Sequence, residues 1–237
     1  MTAVQDYRRS LERSRQALDG EWPESFELCG RSWDLLPGVF APVHSPTTEF
    51  AMRLLGVAEP GATCSGSLLE IGCGTGVIAV ASALAGCDRV VASDINEAAV
   101  RNTASNARRH GVADKVRSVH GDLFGGLAPD ERFDTVYWHS NYVLAPEAYR
   151  YRTMHERSHV DPGYAAHRRF LEEAPRWLAP GGSVLLHFSA RGDLATLRRI
   201  AAECGRGLDV RRSEVFQEGE HEVEHRLLQV TTEPAER

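Results

Sequence analysis

The chain is almost without lysine: Lys115 stands alone against 26 arginines, a bias that reads as the mark of a GC-rich genome and carries little functional weight. It also lacks a basic surplus. A net charge of -6 argues against a protein whose main task is gripping phosphate backbones or anionic lipid, so no nucleic-acid or membrane partner is expected. The five cysteines, Cys29, Cys64, Cys73, Cys87 and Cys204, are odd in number and contain no C-x-x-C pair. That excludes a readable disulfide framework or zinc knuckle and suits a reducing cytoplasm. No long apolar run exists either. The chain opens with Met1-Thr2-Ala3-Val4 and charged residues without a signal-type core, and Val77 to Ala85 is too short to span a bilayer, so a cytoplasmic protein is expected. What is present is sufficient for a real core: 237 residues, 42% of them hydrophobic, enough for one domain with a small N-terminal appendage.

Apolar positions from Val4 through Tyr7, Leu11 and Leu18 suggest an amphipathic first helix ending near Gly20, a cap or lid. Two short runs around Gly30 predict a hairpin, and Ser45-Pro46 offers an N-cap and first-turn proline for a helix to about Val57. The boundary expected after Ala58 divides a lid and substrate-side segment, 1–58, from a domain over 59–237. From Ser67 the pattern changes to short apolar runs alternating with helical ones, the mark of a parallel sheet with crossover helices. Strands are expected at Ser67 to Ile71, Arg89 to Ser93, Val116 to His120, Phe133 to Trp138 and Ser183 to Phe188. Helices fill Gly76 to Leu84, Asn96 to His110, Pro162 to Leu178 and Leu194 to Glu203. The tail, Asp209 to Phe216 and Glu222 to Thr231, reads as an antiparallel hairpin. The fold expected is therefore α/β, a Rossmann-like seven-stranded, mostly parallel sheet closed by that hairpin.

The most informative stretch is Glu70-Ile71-Gly72-Cys73-Gly74-Thr75-Gly76, three glycines between a strand and a helix. Glycine lets the backbone turn sharply and approach a ligand closely. With Val77 where a dinucleotide fold wants its third glycine, the loop is a poor pyrophosphate cradle. Glu70 would repel a phosphate there, but it suits a cofactor carrying an ammonium and a sulfonium. Asp94, at the end of the next strand and followed by Ile95, is placed to hold ribose hydroxyls. The third strand ends Gly121-Asp122-Leu123, which offers an acceptor and an apolar wall to adenine.

Over roughly Ser67 to Phe188 the sequence resembles the class I S-adenosylmethionine-dependent methyltransferases. The resemblance implies that Gly72, Cys73, Gly74 and Gly76 pass under S-adenosylmethionine, with S-adenosylhomocysteine as the product. It also implies that Glu70 faces the methionyl end, Asp94 and Ile95 the ribose, and Asp122 and Leu123 the adenine. Cys73 itself reads as a small packing residue. The fourth strand and its exit, Phe133 to Val143, with Tyr164 to Leu171, Ala179-Pro180-Gly181-Gly182 and Phe40 to Phe50, resemble the enzymes that methylate protein glutamine amides. That family carries Asn-Pro-Pro-Tyr where this chain reads His139-Ser140-Asn141-Tyr142.

Methyl transfer is an in-line displacement that depends on positioning a nucleophile with a free lone pair. His139 is the leading candidate for a base, since a neutral imidazole accepts a proton, with a structural histidine as the rival reading. Asn141 can supply an acceptor oxygen and Tyr142 can stack on a planar group, or the two form an ordinary loop. Glu156 or Asp161 can pair with a cationic acceptor, or belong to a solvated loop; His44 lies near the expected cofactor mouth. His155, His159 and Asp161 lack the tight spacing of metal ligands, and no metal is expected. With the family motif altered, the expected acceptor is a planar amide or guanidino nitrogen on a small molecule in specialised metabolism, handled by a monomer or homodimer. Rival readings are a protein or nucleic-acid amino methyltransferase, an O-methyltransferase, and a catalytically inactive cofactor-binding partner subunit.

Overall fold

A computed structural model describes residues 4–42, 46–59 and 61–232. Helix α1 (Tyr7–Asp19) starts where the Asp6 carboxylate accepts from the Arg8 amide, and the residues it buries are Ser10 and Ser14 rather than apolar ones. Strands β1 (Ser25–Leu28) and β2 (Arg31–Asp34) pair antiparallel across Cys29 and Gly30. Helix α2 (Thr47–Leu55) ends at Gly56 in the left-handed conformation that closes many helices. The N-cap expected at Ser45 lies outside the described residues, and so does His44.

The α/β part then runs β3 (Ser67–Ile71), α3 (Val77–Leu84), β4 (Arg89–Asp94), α4 (Glu97–Arg109), β5 (Val116–His120) and β6 (Phe133–His139). It continues through the two-residue strands β7 (Leu144–Ala145) and β8 (Asp161–Pro162), then α5 (Ala165–Glu173), β9 (Leu178–Ser189), α6 (Leu194–Glu203), β10 (Arg206–Glu218) and β11 (His221–Thr232). The main sheet has the order β10-β11-β9-β6-β3-β4-β5; β11 runs antiparallel to both neighbours, and the other pairs are parallel. The expected seven-stranded sheet and terminal hairpin are thus present.

Burial explains the sequence pattern. Leu68, Leu69, Glu70 and Ile71 of β3 are all buried because the central strand is covered on both faces. Phe50, Met52, Val77, Ile78 and Val80 form one apolar layer, and Phe170, Leu171, Leu197 and Ile200 pack with Val136, Val184 and Leu186 in the other. Each such side chain contributes about 1.5–3 kcal/mol. The β1–β2 hairpin is tied to α4 by two fully buried asparagines: Asn106 Oδ1 accepts from the Asp34 amide at 2.7 Å, and Asn102 Oδ1 from the Leu36 amide at 2.8 Å.

Three features differ from the sequence expectation. The helix expected from Pro162 to Leu178 is confined to α5, because Tyr164 caps it in a left-handed conformation and Pro175 sits in a 3-10 turn that delivers the chain into β9. The parallel pair β7–β8 was not anticipated. Cys64 and Cys87 form a disulfide across 4.8 Å between Cα atoms, which corrects the expectation of none. The loops before β3 and β4 bring these cysteines together, and sequence spacing carries no trace of that proximity. Among the described residues no helix is long and apolar enough to cross a membrane.

The chain lays β4 and β5 on one side of β3 and then returns to place β6 on the other. Beyond the carboxyl ends of β3 and β6 this reversal opens a crevice, the usual place for a ligand in such sheets.

Candidate active site

That crevice is a cavity of about 830 Å³, and its wall is built from the strand ends together with α1, α2 and the β10–β11 turn. At its floor the backbone has positive φ at Gly72 and Gly74, while Gly76, also at positive φ, lies behind the cavity wall. Gly76 is irreplaceable on packing grounds, since a Cβ there would come within 2.7 Å of the Thr103 hydroxyl on α4. Between the glycines, burial pushes the Cys73 thiol well above its ordinary range, and the Thr103 hydroxyl donates to its sulfur at 3.2 Å; it stays protonated and packs.

Asp94 ends β4. Its Oδ2 accepts from the Gly74 amide at 2.9 Å and its Oδ1 from the Asn96 amide at 2.8 Å, so the carboxylate fastens the glycine turn to the start of α4. Burial raises its pKa, against the pull of those amides. Each oxygen keeps a second lone pair for a hydroxyl group. Glu70 is buried beside it, with Oε2 lacking any hydrogen-bond partner, and burial holds its carboxyl well above the usual carboxylate range. A buried carboxyl with one oxygen unpartnered at the cavity floor is the complement of an ammonium group. Ile95 and Leu123 line the neighbouring wall, where the Ser93 hydroxyl donates to the Leu123 carbonyl at 2.7 Å and holds Leu123 at φ 54°. Asp122 also lines the wall, but its Oδ2 accepts from Arg169 at 2.8 Å, leaving only its other oxygen for an adenine amino group. These residues fit the methionyl, ribose and adenine parts of S-adenosylmethionine in that order.

At the other end stand His139, Ser140, Asn141 and Tyr142, all lining the same cavity. His139 is the last residue of β6, and what surface it keeps opens to the cavity; burial and the nearby His225 push its pKa down to about 3, so the imidazole is neutral. Asn141 donates from Nδ2 to the Arg157 carbonyl at 2.7 Å and to the Val160 carbonyl at 2.8 Å. This fixes which way its amide points, and Oδ1 is left buried without a partner. The Tyr142 ring meets His225 and Phe188 edge-on, while its carbonyl accepts from the Tyr164 hydroxyl at 2.6 Å. These contacts set Tyr142 in the cavity wall.

Two sequence candidates face elsewhere. Glu156 Oε2 accepts from the Tyr149 hydroxyl and the Arg152 amide, which ties its carboxylate into its own loop. Asp161 is buried, capping α5 through the Ala166 and His167 amides and accepting from His167 Nδ1 at 2.7 Å. Neither lines the cavity, so neither is available to a cationic acceptor; His44 lies outside the described residues. Sequence reasoning missed Arg191 and Glu218, which do line it, and His187 and His225 behind them. These four become neighbours only through the register of β9, β10 and β11, and no local motif announces them.

The comparisons with known proteins agree with this geometry. Residues 35–138 match the family model described as Ribosomal protein L11 methyltransferase (PrmA). The release factor glutamine methyltransferase of Bordetella pertussis is 31% identical over 171 residues, which is 67% of this chain and 59% of that protein; this chain thus spans somewhat over half of that relative's length. The release factor glutamine methyltransferase of Gloeobacter violaceus is 31% identical over 200 residues, covering 77% of this chain and 70% of that one. A solved methyltransferase from Pyrococcus furiosus shares the fold, with a TM-score of 0.58 at 18% identity, over 95% of this chain and 98% of the other. The chain is therefore of the class I S-adenosylmethionine-dependent methyltransferase type. It belongs to the release factor glutamine methyltransferase family.

One expectation is overturned. The relatives are named for the proteins they methylate, a release factor or ribosomal protein L11, so the small-molecule acceptor, with its guanidino and biosynthetic readings, is withdrawn. The altered motif at His139 had pointed away from a protein substrate, but a change of side chains at the reacting end does not report on the size of the molecule that carries the acceptor.

Proposed function

We propose that this enzyme transfers a methyl group from S-adenosylmethionine to a side-chain carboxamide nitrogen of a protein. The observation that carries the reading is Asn141 Oδ1, a buried hydrogen-bond acceptor with no partner in the cavity, its orientation fixed by the Arg157 and Val160 carbonyls. The neutral imidazole of His139 stands near it in sequence and lines the same end of the cavity. A primary amide has two N–H donors, and two acceptors facing it hold the nitrogen in place and draw its lone pair toward the reacting carbon. A lysine ammonium would want a free carboxylate there, but both oxygens of Glu218 are engaged by Arg191 and His225. The net charge of -6 favours a protein acceptor over a polynucleotide.

Bound S-adenosylmethionine supplies an electrophilic methyl carbon. This chain's part is to orient and to dehydrate: Glu70 meets the ammonium, Asp94 the ribose, and Asn141 and His139 the amide N–H groups. Holding both reactants in line accounts for about 7–11 kcal/mol of barrier reduction.

The test is to incubate the enzyme with S-adenosylmethionine and purified release factor or ribosomal protein L11 and to locate the new methyl by peptide mass spectrometry. The methyl is expected on a glutamine or asparagine amide, and Asn141→Ala should lower kcat by about 10²-fold or more, the effect of losing one oriented hydrogen-bond partner. Methylation only at lysine, at an α-amine or at a carboxylate would overturn the amide reading.

A further inference from the structure

The cavity is charged unevenly. Glu70, Asp94 and Asp122 line its donor end, whereas Arg13 of α1, Arg157 of the 3-10 turn before β8 and Arg191 of the turn after β9 line it around the acceptor end. The Arg157 carbonyl is one of the two that fix the Asn141 amide. Burial and the Glu218 carboxylate push the Tyr142 hydroxyl up, and Arg191 and Arg13 pull against them, so both arginines lie within electrostatic reach of the residue next to Asn141. Among the described residues neither Arg13 nor Arg157 forms an ion pair, and Arg157 lays its guanidinium over the Tyr151 ring at 4.6 Å instead. Glu21, the remaining carboxylate in the wall, is exposed just past α1 and pairs with neither.

Arg191 is the most firmly built of the three. Its side chain is only 13% exposed, and Nε donates to Glu218 Oε2 at 2.6 Å. Its backbone is held too: the Gln5 amide donates to the Arg191 carbonyl at 2.8 Å, and the Arg191 amide donates to Ser189 Oγ at 3.2 Å. Glu218 thus balances the charge and sets the direction of the guanidinium while occupying only Nε. The two terminal nitrogens donate to no described residue, and neither is sealed in the interior. Together they form a rigid planar fork whose N–H groups match the two oxygens of a carboxylate.

We propose that Arg191 is a specificity-determining residue that takes a carboxylate of the acceptor protein, an aspartate or glutamate side chain close in sequence to the methylated carboxamide, and that Arg13 and Arg157 draw the same acidic segment to the mouth. This rests on the reading that a protein carboxamide enters at this end. A chain of net charge -6 repels an acidic segment at long range, and a local reversal of sign at the mouth is what lets one approach. S-adenosylmethionine carries a carboxylate of its own on the methionyl end, and the experiment separates the two sources.

The probes are short fluorescent peptides with a central glutamine flanked by glutamates, by serines or by lysines, added to the full chain with S-adenosylhomocysteine bound. Fluorescence anisotropy should show the glutamate peptide binding about 10- to 100-fold more tightly than the serine peptide, as expected for a hydrogen-bonded charge pair, with the gap narrowing as salt rises. Equal binding of the two by the wild-type protein overturns the proposal. Arg191→Gln should erase the gap and Arg191→Lys restore part of it, with S-adenosylhomocysteine affinity within about twofold of wild type in both. A loss of S-adenosylhomocysteine affinity as large as the loss of peptide affinity would assign the fork to the donor's carboxylate and overturn the proposal. Thermal melts identify an Arg191 variant that fails to fold; the exposed Arg13→Gln then decides, since it should shrink the gap by about two- to fivefold, and an unchanged gap counts against the site. Methyl transfer from S-adenosylmethionine to the same peptides is scored separately. A tightly bound glutamate peptide that is methylated only after lysine replaces its central glutamine sinks the carboxamide reading and leaves the arginine site standing, whereas glutamate and serine peptides bound and methylated alike at the amide sink the arginine site alone.

Discussion

Asp94 and Glu70 lie side by side in the donor end, yet substitution should affect them differently. Asp94 uses both oxygens to fasten the Gly74 and Asn96 amides, so Asp94→Ala removes ligand contacts and loosens the glycine turn together. Hydrogen bonds to a charged group are worth about 1.5–3 kcal/mol each, and calorimetric titration should show S-adenosylhomocysteine affinity falling by roughly 10- to 100-fold or more. Glu70 presents the opposite case, because burial already favours its neutral form in the free protein. Glu70→Gln should therefore leave the melting temperature of the free enzyme nearly unchanged while weakening S-adenosylmethionine by about tenfold, through loss of the countercharge to the ammonium. A large fall in stability without ligand would show that Glu70 is ionised in the empty site. Both residues were legible in the sequence, because a strand-turn-helix motif fixes Glu70 relative to the glycines and the next strand end fixes Asp94. Asn141 was legible only in part: its position was visible, but the fixing of its amide by the Arg157 and Val160 carbonyls depends on a contact between separate loops.

Among the elements, α1 carries little apolar burial. It lines the cavity through Arg13, Gln16 and Ala17, buries only Ser10 and Ser14 fully, and packs Tyr7 and Leu11, themselves half-buried, against Val143, Ala145 and Val160. The Ser14 hydroxyl lies 2.8 Å from His155 Nδ1, Tyr7 meets Tyr149 edge-on, and just before the helix the Gln5 amide donates to the Arg191 carbonyl at 2.8 Å. Central strands such as β3 are instead buried on both faces. Local opening is easiest where apolar burial is least, so hydrogen exchange should be orders of magnitude faster in α1 than in β3 and β6. Ser14→Ala should speed α1 exchange further by about fivefold, the worth of one net hydrogen bond near 1 kcal/mol, without altering β3. Uniform protection across α1 and β3 would mean that the helix is a fixed wall and that a protein acceptor must enter by another route. At this scale the parallel strands and their crossover helices were readable because buried strands leave short apolar runs. The β7–β8 pair and the Cys64–Cys87 bond were not, since two-residue strands have no period and loop proximity leaves no spacing signal.

For the whole molecule, the unusual feature is how many histidines the fold keeps neutral. Burial lowers His139 to about 3 and His159 to about 4, and lowers His187 as well, whereas in the unfolded chain each returns to about 6.5. Between those values the unfolded state binds more protons than the folded one, so stability is full above about pH 6.5 and falls as the pH drops toward 4. Each histidine contributes about 1.4 kcal/mol per pH unit over that range. Glu70 and Asp94 act in the opposite sense: their raised values favour the folded state as the pH falls toward the ordinary carboxylate range, and so offset part of the loss. Over that range three lowered histidines stand against two raised carboxyls, so the loss is only partly offset. The melting temperature should therefore fall by roughly 5–10 °C between pH 7.5 and pH 5, from a net loss of a few kcal/mol in a chain of this size. S-adenosylhomocysteine should steepen that fall, since its ammonium keeps Glu70 ionised and cancels the one carboxyl gain that lies deepest in the cavity. A melting temperature that stays level or rises toward pH 5, with ligand present, would mean that the buried histidines are already charged in the folded protein.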